Sequence, residues 1–189
     1  MKSLYSVLAL LLIAADAMAQ TALPTPPPPP TTKLEAFTGN TGTVVIKAYE
    51  DIGRISATND IEITAMTFKD PNSKEQTSGL TIEVTETSSR SYQASSTAFI
   101  DYDELSGLLD GIKYVSKANK DVTSLPFYEV SYQTRGKLRI TVFNSGNGRT
   151  NVAIAAGSYG AKTAYVTLSQ LKELEDLVGS GKQLLDGLK

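Results

Sequence analysis

Beyond Gly42, apolar and polar residues alternate with a period of two. Val44, Ile46 and Ala48 alternate with Thr43, Val45 and Lys47, Ile61, Ile63 and Ala65 with Glu62, Thr64 and Met66, and Leu80, Ile82 and Val84 with Thr81, Glu83 and Thr85. One apolar face per segment predicts antiparallel strands half-buried against a core. The polar stretch Lys69-Asp70-Pro71-Asn72-Ser73-Lys74 separates the second from the third, and its proline makes it a loop. A further strand, from about Tyr92 to Ile100, runs into a helix. Asp101 or Asp103 can cap that helix, and Tyr102, Leu105, Leu108, Leu109, Ile112 and Val115 form one stripe at helical spacing.

After the connection Asn119 to Pro126 the alternation resumes. Tyr128, Val130 and Tyr132 share one face, and Leu138, Ile140 and Val142 answer them across Arg135-Gly136. Asn144-Ser145-Gly146-Asn147-Gly148 holds residues that tolerate positive φ and predicts a hairpin turn. Val152 and Ile154, the turn Gly157-Ser158-Tyr159-Gly160 and a last strand to Val166 follow. The closing helix carries Leu168, Leu171, Leu174, Leu177, Val178, Leu184, Leu185 and Leu188. Gly179 and Gly181 each weaken it by about 1 kcal/mol relative to alanine, so a bend or fraying is expected there.

The two halves echo each other. At an offset of 66 residues, Thr97-Ala98-Phe99-Ile100-Asp101 matches Thr163-Ala164-Tyr165-Val166-Thr167, and the match continues through Leu105 on Leu171, Leu108 on Leu174 and Ile112 on Val178. Each half reads as several strands followed by a helix, entered through the same junction. A duplication would place two helices side by side on one face of a shared sheet. The other face, with Thr64, Thr81, Glu83, Thr85, Arg139 and Thr141, would be wet.

The N-terminus has a different grammar. Lys2, the apolar run Leu4 to Ala15 and the small residues Ala17-Met18-Ala19 make up residues 1–19 as a secretory signal peptide. The mature chain would start at Gln20 and pass into a Pro/Thr-rich segment, 20–40, containing the unbroken run Pro26 to Pro30. This composition predicts a disordered arm with a stiff polyproline rod, acting as a spacer or as a ligand for a proline-binding groove. Residues 41–189 form one domain, with candidate half-repeats 41–120 and 121–189. The signal run is too short to span a bilayer stably, and no later stretch has the apolar length to do so. Export leads to the periplasm or the extracellular space, with an uncleaved signal acting as an anchor as the alternative.

Composition narrows the chemistry. The 189-residue chain has no Cys and no His, no Trp, and a formal charge of −2. Without Cys there are no disulfides, so stability comes from the core. Cys nucleophiles, His bases, Ser-His-Asp triads and imidazole or thiolate metal sites are excluded. A near-neutral charge gives no footprint for nucleic acid. No cofactor is called for.

Asp101-Tyr102-Asp103-Glu104 is the densest carboxylate group in the folded part. Such acids can ligate calcium or act in pairs on a glycosidic bond. At a strand-to-helix junction they more simply favour the helix N-terminus. Asp70-Pro71-Asn72-Ser73 offers similar ligand types. The Gly-x-Ser-x-Gly pattern does not occur. Ser180-Gly181-Lys182 and Gly146-Asn147-Gly148 read as a helix break and a turn rather than phosphate loops. Tyr128 and Tyr132 read as core. Tyr159, flanked by serine and glycine in a turn, is the candidate partner contact.

Phe99 to Leu105 with Leu108-Leu109, together with Ala164-Tyr165-Val166, resembles a family of exported bacterial proteins of unknown function, over roughly the second half of the chain. The resemblance implies export and the strand-helix layout, and carries no activity. The expectation is an α+β domain with one antiparallel sheet of about eight or nine strands and two helices on one face. The leading function is a non-enzymatic envelope or secreted module that binds a protein or an envelope polymer. A hydrolase using carboxylates alone is the alternative, and a subunit that self-associates by sheet edges is a third.

Overall fold

The alternation resolves into eight strands in two sheets. The computed structural model describes residues 29–86, 94–146, 148–157 and 160–188. Helix α1 (Lys33–Thr38) comes first, then β1 (Ile46–Ser56), β2 (Asp60–Lys69), β3 (Gln76–Thr85) and β4 (Ser95–Asp101). A 3-10 turn, Tyr102–Glu104, leads into α2 (Leu105–Val115). Strands β5 (Glu129–Gln133), β6 (Arg139–Asn144), β7 (Thr150–Ala156) and β8 (Lys162–Val166) precede α3 (Leu168–Asp186). Each set of four is an antiparallel meander in chain order. The α+β class is as expected, but the single sheet is replaced by two of four strands.

Each half is thus a four-stranded meander followed by a helix, and the halves exchange their helices. Helix α2 packs on β5 and β6, while α3 packs on β1, β2 and β3, and the two helices touch each other. The last strand of each meander lies at a sheet edge, so a helix leaving it passes beyond its own sheet and onto the facing one. Both inner faces and both helix stripes join in one core. Each sheet has a row ending on one of the residues related by the 66-residue offset, Ala98 and Ala164: Gly53, Ile63, Ile82, Ala98 in the first and Tyr132, Ile140, Ile154, Ala164 in the second.

The outer end of each row shows how the exchange is fitted. A Cβ on Gly53 would lie 2.7 Å from Leu177 of α3, and a Cβ on Gly111 of α2 would lie 2.4 Å from the Tyr132 ring. Gly111 and Leu177 are equivalent at the 66-residue offset. Where one helix brings leucine the sheet has glycine, and where the other brings glycine the sheet has tyrosine. At each position one large side chain fills the space that a glycine leaves, which close packing requires.

Several local expectations change. Helix α3 runs unbroken through Gly179 and Gly181, because Gly181 seats the helix against Leu80, whose Cδ2 would be 2.8 Å from an added Cβ. Ser180-Gly181-Lys182 is therefore helix interior. The start of β1 is not half-buried: Val44, Ile46 and Ala48 are exposed, lying at the sheet edge. On the outer faces Thr81 and Thr141 are buried rather than wet. Thr81 is shaded by Phe99 across the ladder, and Thr141 hydrogen-bonds Ser131 across its own. Tyr92, the expected start of β4, lies outside the described residues, as do the signal and most of the proline tract.

The segment expected to be an unstructured arm through residue 40 contains α1. Thr32 caps it by accepting from Glu35 N, and Glu35 reaches back to Thr32 N. Leu34 is fully buried, over Gly79, where a Cβ would lie 2.7 Å from its Cδ1. Phe37 stacks on Phe68, with ring centroids 6.2 Å apart. The helix lies on the sheet face opposite α3.

Candidate functional site

The carboxylates singled out by sequence meet around one guanidinium. Asp101 ends β4 and is 1% exposed. It does not cap α2. Its two oxygens accept from Lys33 N at 2.9 Å and Leu34 N at 3.1 Å, the free amides at the start of α1. Arg135, in the β5–β6 turn, places Nη2 at 2.6 Å from Asp103 and 3.5 Å from Asp101, and Nε at 3.2 Å from Glu104 Oε2. Its backbone N–H donates to Glu104 Oε1 at 2.9 Å, and its carbonyl accepts from Thr31 Oγ1 at 3.0 Å. Lys33 Nζ adds a contact to Asp103 at 3.4 Å.

This arrangement is a clasp joining α1, the β4–α2 junction and the β5–β6 turn. Burial works to raise the pKa of Asp103, but the Arg135 hydrogen bond and the charges of Arg135 and Lys33 outweigh it, leaving the carboxyl below its usual range. The hydrogen bond to Glu104, opposed by burial and helped by Asp103, raises the Arg135 guanidinium. A carboxyl held as Asp103 is stays ionised rather than donating a proton. Next to the clasp, Gly136 bridges to Phe99, and a Cβ there would fall 1.7 Å from the Phe99 carbonyl oxygen.

The second acidic candidate has a local role. Asp70 Oδ1 accepts from Asn72 N at 2.7 Å and Ser73 N at 3.3 Å, folding the β2–β3 turn. The Asn72 bond foremost, and then the Ser73 bonds, lower its pKa against the opposing effect of burial. Lys74 in the same turn has φ 63°. Tyr128 is buried and donates to or accepts from Thr150 Oγ1 at 3.2 Å, and Tyr132 is half-buried under α2. Tyr159 lies outside the described residues.

A different surface has the character of a binding site. The end of α2, the connection after it and the start of β5 enclose an open groove of about 550 Å³, lined by Tyr114, Lys117, Ala118, Val122, Thr123, Phe127, Tyr128, Glu129 and Val130. Tyr114 is 74% and Phe127 61% exposed, with Val122 and Leu125 exposed nearby. One bond within the connection and one from β6 brace it. Asn119 Oδ1 accepts from Asp121 N at 2.7 Å, and Asn144 Nδ2 donates to Pro126 O at 2.8 Å. Phe127 follows a proline anchored to the next hairpin, so its ring is presented rather than folded in. Strand β5 beside it is the outer strand of its sheet.

The signal for this groove was present in Leu125-Pro126-Phe127, apolar residues in an otherwise polar connection. Among the described residues, no helix is long and apolar enough to cross a membrane. No family model matches this chain, and neither does any curated protein or solved structure.

Proposed function

We propose that this chain is an exported, non-enzymatic binding module of the periplasm or extracellular space, and that it holds an apolar segment of a partner protein in the groove between α2 and β5. The observation that carries the reading is the exposure of Tyr114 and Phe127 around that groove. Exposed aromatics grouped with Val122 and Leu125 mark an interaction site on a surface that otherwise solvates poorly. The free edge of β5 supplies backbone donors and acceptors for an extended segment, while the groove takes its side chains. Export rests on the N-terminal run Leu4 to Ala15 with Ala17-Met18-Ala19. The carboxylate hydrolase reading has less to stand on, since Asp101, Asp103 and Glu104 are committed to Arg135 and to the amides of α1.

The test is selection of binding peptides from a random library displayed against the folded protein, followed by affinity measurements on Tyr114→Ser with Phe127→Ser. Both side chains are exposed, so the double variant keeps its unfolding midpoint. Selected peptides should be rich in apolar residues and lose at least about tenfold in affinity, the scale of an interface anchor. Peptides that bind the double variant as well as the parent, or preferential retention on an envelope polysaccharide, would defeat the reading.

A further inference from the structure

The free edge of β1 has the features of a strand made to pair. Strand β1 is the outer strand of its sheet, and its exposed start carries Ile46 and Tyr49, the latter 72% exposed, with exposed Val44 just before it. An open apolar edge is a template for another strand. Lys47 and Asp51 stand on one face of it with Tyr49 between them. At about 3.3 Å per residue they are roughly 13 Å apart along the strand, too far to pair with each other. Lys47 Nζ sits 5.6 Å from the Tyr49 ring centroid and 5.9 Å from that of Phe68, and among the described residues it has no carboxylate within ion-pair distance. Asp51 uses one oxygen to accept from Gly53 N at 3.1 Å, and the nearby Arg54 is taken by Asp60 at 2.6 Å.

We infer that β1 pairs antiparallel with β1 of a second copy about a two-fold axis through Tyr49. Residues directly opposite in an antiparallel pair share a face, so such an axis must pass through a residue of the strand. Centred on Tyr49, it sets Lys47 opposite Asp51 of the second copy, twice over. Centred on Lys47 or on Glu50, it sets like charges against themselves. Centred on Ala48, it leaves Lys47 facing tyrosine and Asp51 facing valine. Only the Tyr49 register sets both Lys47 and Asp51 against a counter-ion. On the other face, Ala48 and Glu50 border a small pocket closed by Leu184 and Leu188 at the end of α3. The axis brings the two α3 ends together over the joint, covering the exposed Leu188. The bulge between Asp51 and Gly53 ends the new ladder, which limits growth beyond a closed pair.

Sedimentation of the protein across a concentration series, in low and high salt, tests this with four samples. The parent should be a dimer that weakens with salt. Lys47→Asp and Asp51→Lys each place like charges opposite one another at both pairs and should each weaken self-association about tenfold or more. An equimolar mixture of the two variants should restore it, because each then meets the opposite charge. A parent that stays monomeric up to about 1 mM, variants that dimerise like the parent, or a mixture no stronger than its components would each overturn the inference. Both side chains are exposed, so far-UV circular dichroism should be unchanged. If either variant does not fold, salt dependence of the parent decides, and a salt-insensitive dimer also overturns it.

Discussion

Replacing Asp101 with alanine should detach the N-terminal helix and leave the two-sheet domain folded. The carboxylate is 1% exposed and accepts two backbone amides at 2.9 and 3.1 Å. Hydrogen bonds to a charged group contribute about 1.5–3 kcal/mol each, so loss in a rigid frame would cost about 3–6 kcal/mol. The frame is not rigid at this point. Once α1 lifts away, its amides meet water, and the cost is limited to what docks the helix. Burial of Leu34 contributes about 1.5–3 kcal/mol and the Phe37–Phe68 contact about 0.5–1.5 kcal/mol. Fixing the backbone of α1 opposes these by about 1 kcal/mol per residue. The balance predicts a loss of about 1–3 kcal/mol in global stability for Asp101→Ala, with much faster amide exchange confined to Lys33–Thr38. Hydrogen exchange with mass readout, alongside urea unfolding, measures both. A loss above about 5 kcal/mol, the scale of a broken buried ion pair, with α1 still protected would refute the reasoning. So would unchanged exchange in α1.

The lowered pKa of Asp103 gives the clasp a defined pH dependence. A carboxyl that is more acidic folded than unfolded adds stability above its unfolded pKa, near 3.8, and that stability is lost as pH falls through the lower folded value. The difference in urea midpoint between parent and Asp103→Asn should therefore be present at neutral pH and vanish in strong acid. A gap that widens in acid would contradict the sign. Gly111→Ala should destabilise by about 1–3 kcal/mol, because the new Cβ falls 2.4 Å from the Tyr132 ring. In a Tyr132→Ala background the same change should be stabilising by up to about 1 kcal/mol, through helix propensity alone. Equal effects in the two backgrounds would remove the Gly111–Tyr132 contact from the account. Since the halves exchange helices, residues 41–120 and 121–189 made separately should each fail to unfold cooperatively, while mixing them should recover the transition seen by circular dichroism. An independently folded half would contradict the exchange.

Strand positions were readable because each needs one apolar face, and Ile61-Ile63-Ala65 or Leu80-Ile82-Val84 show it directly. The division into two sheets was not readable. Alternation says which side of a strand is buried, not which strand stands next to it, and nothing in Phe99 or Glu129 marks that β4 and β5 do not pair. The apolar stripe Leu105, Leu108, Ile112, Val115 likewise shows that α2 is buried without saying under which sheet. Helix α1 could have been found: Thr32 and Glu35 have capping-box spacing around Leu34 and Phe37, but the prolines before them drew the segment into the arm. The spacing of the acids at 101–104 points to a cap on α2, but Asp101 and Glu104 make no side-chain cap there, and Asp101 serves a helix some 70 residues away in sequence, a contact made only by the fold. Arg135, their common partner, was noticed only as part of a turn. The groove was missed because Tyr114 sits at the end of an amphipathic helix and Phe127 after a proline, and only tertiary structure brings them together.

The account rests on the groove between α2 and β5 as the contact surface. Amide exchange of the folded protein with and without a library-selected peptide tests it most directly. Slowed exchange should concentrate in the residues from Tyr114 to Gln133, with β5 the most affected, and the outer face of the first sheet should not change. Protection centred on that outer face, around Thr64, Thr81 and Phe99, with β5 unaltered, would contradict it.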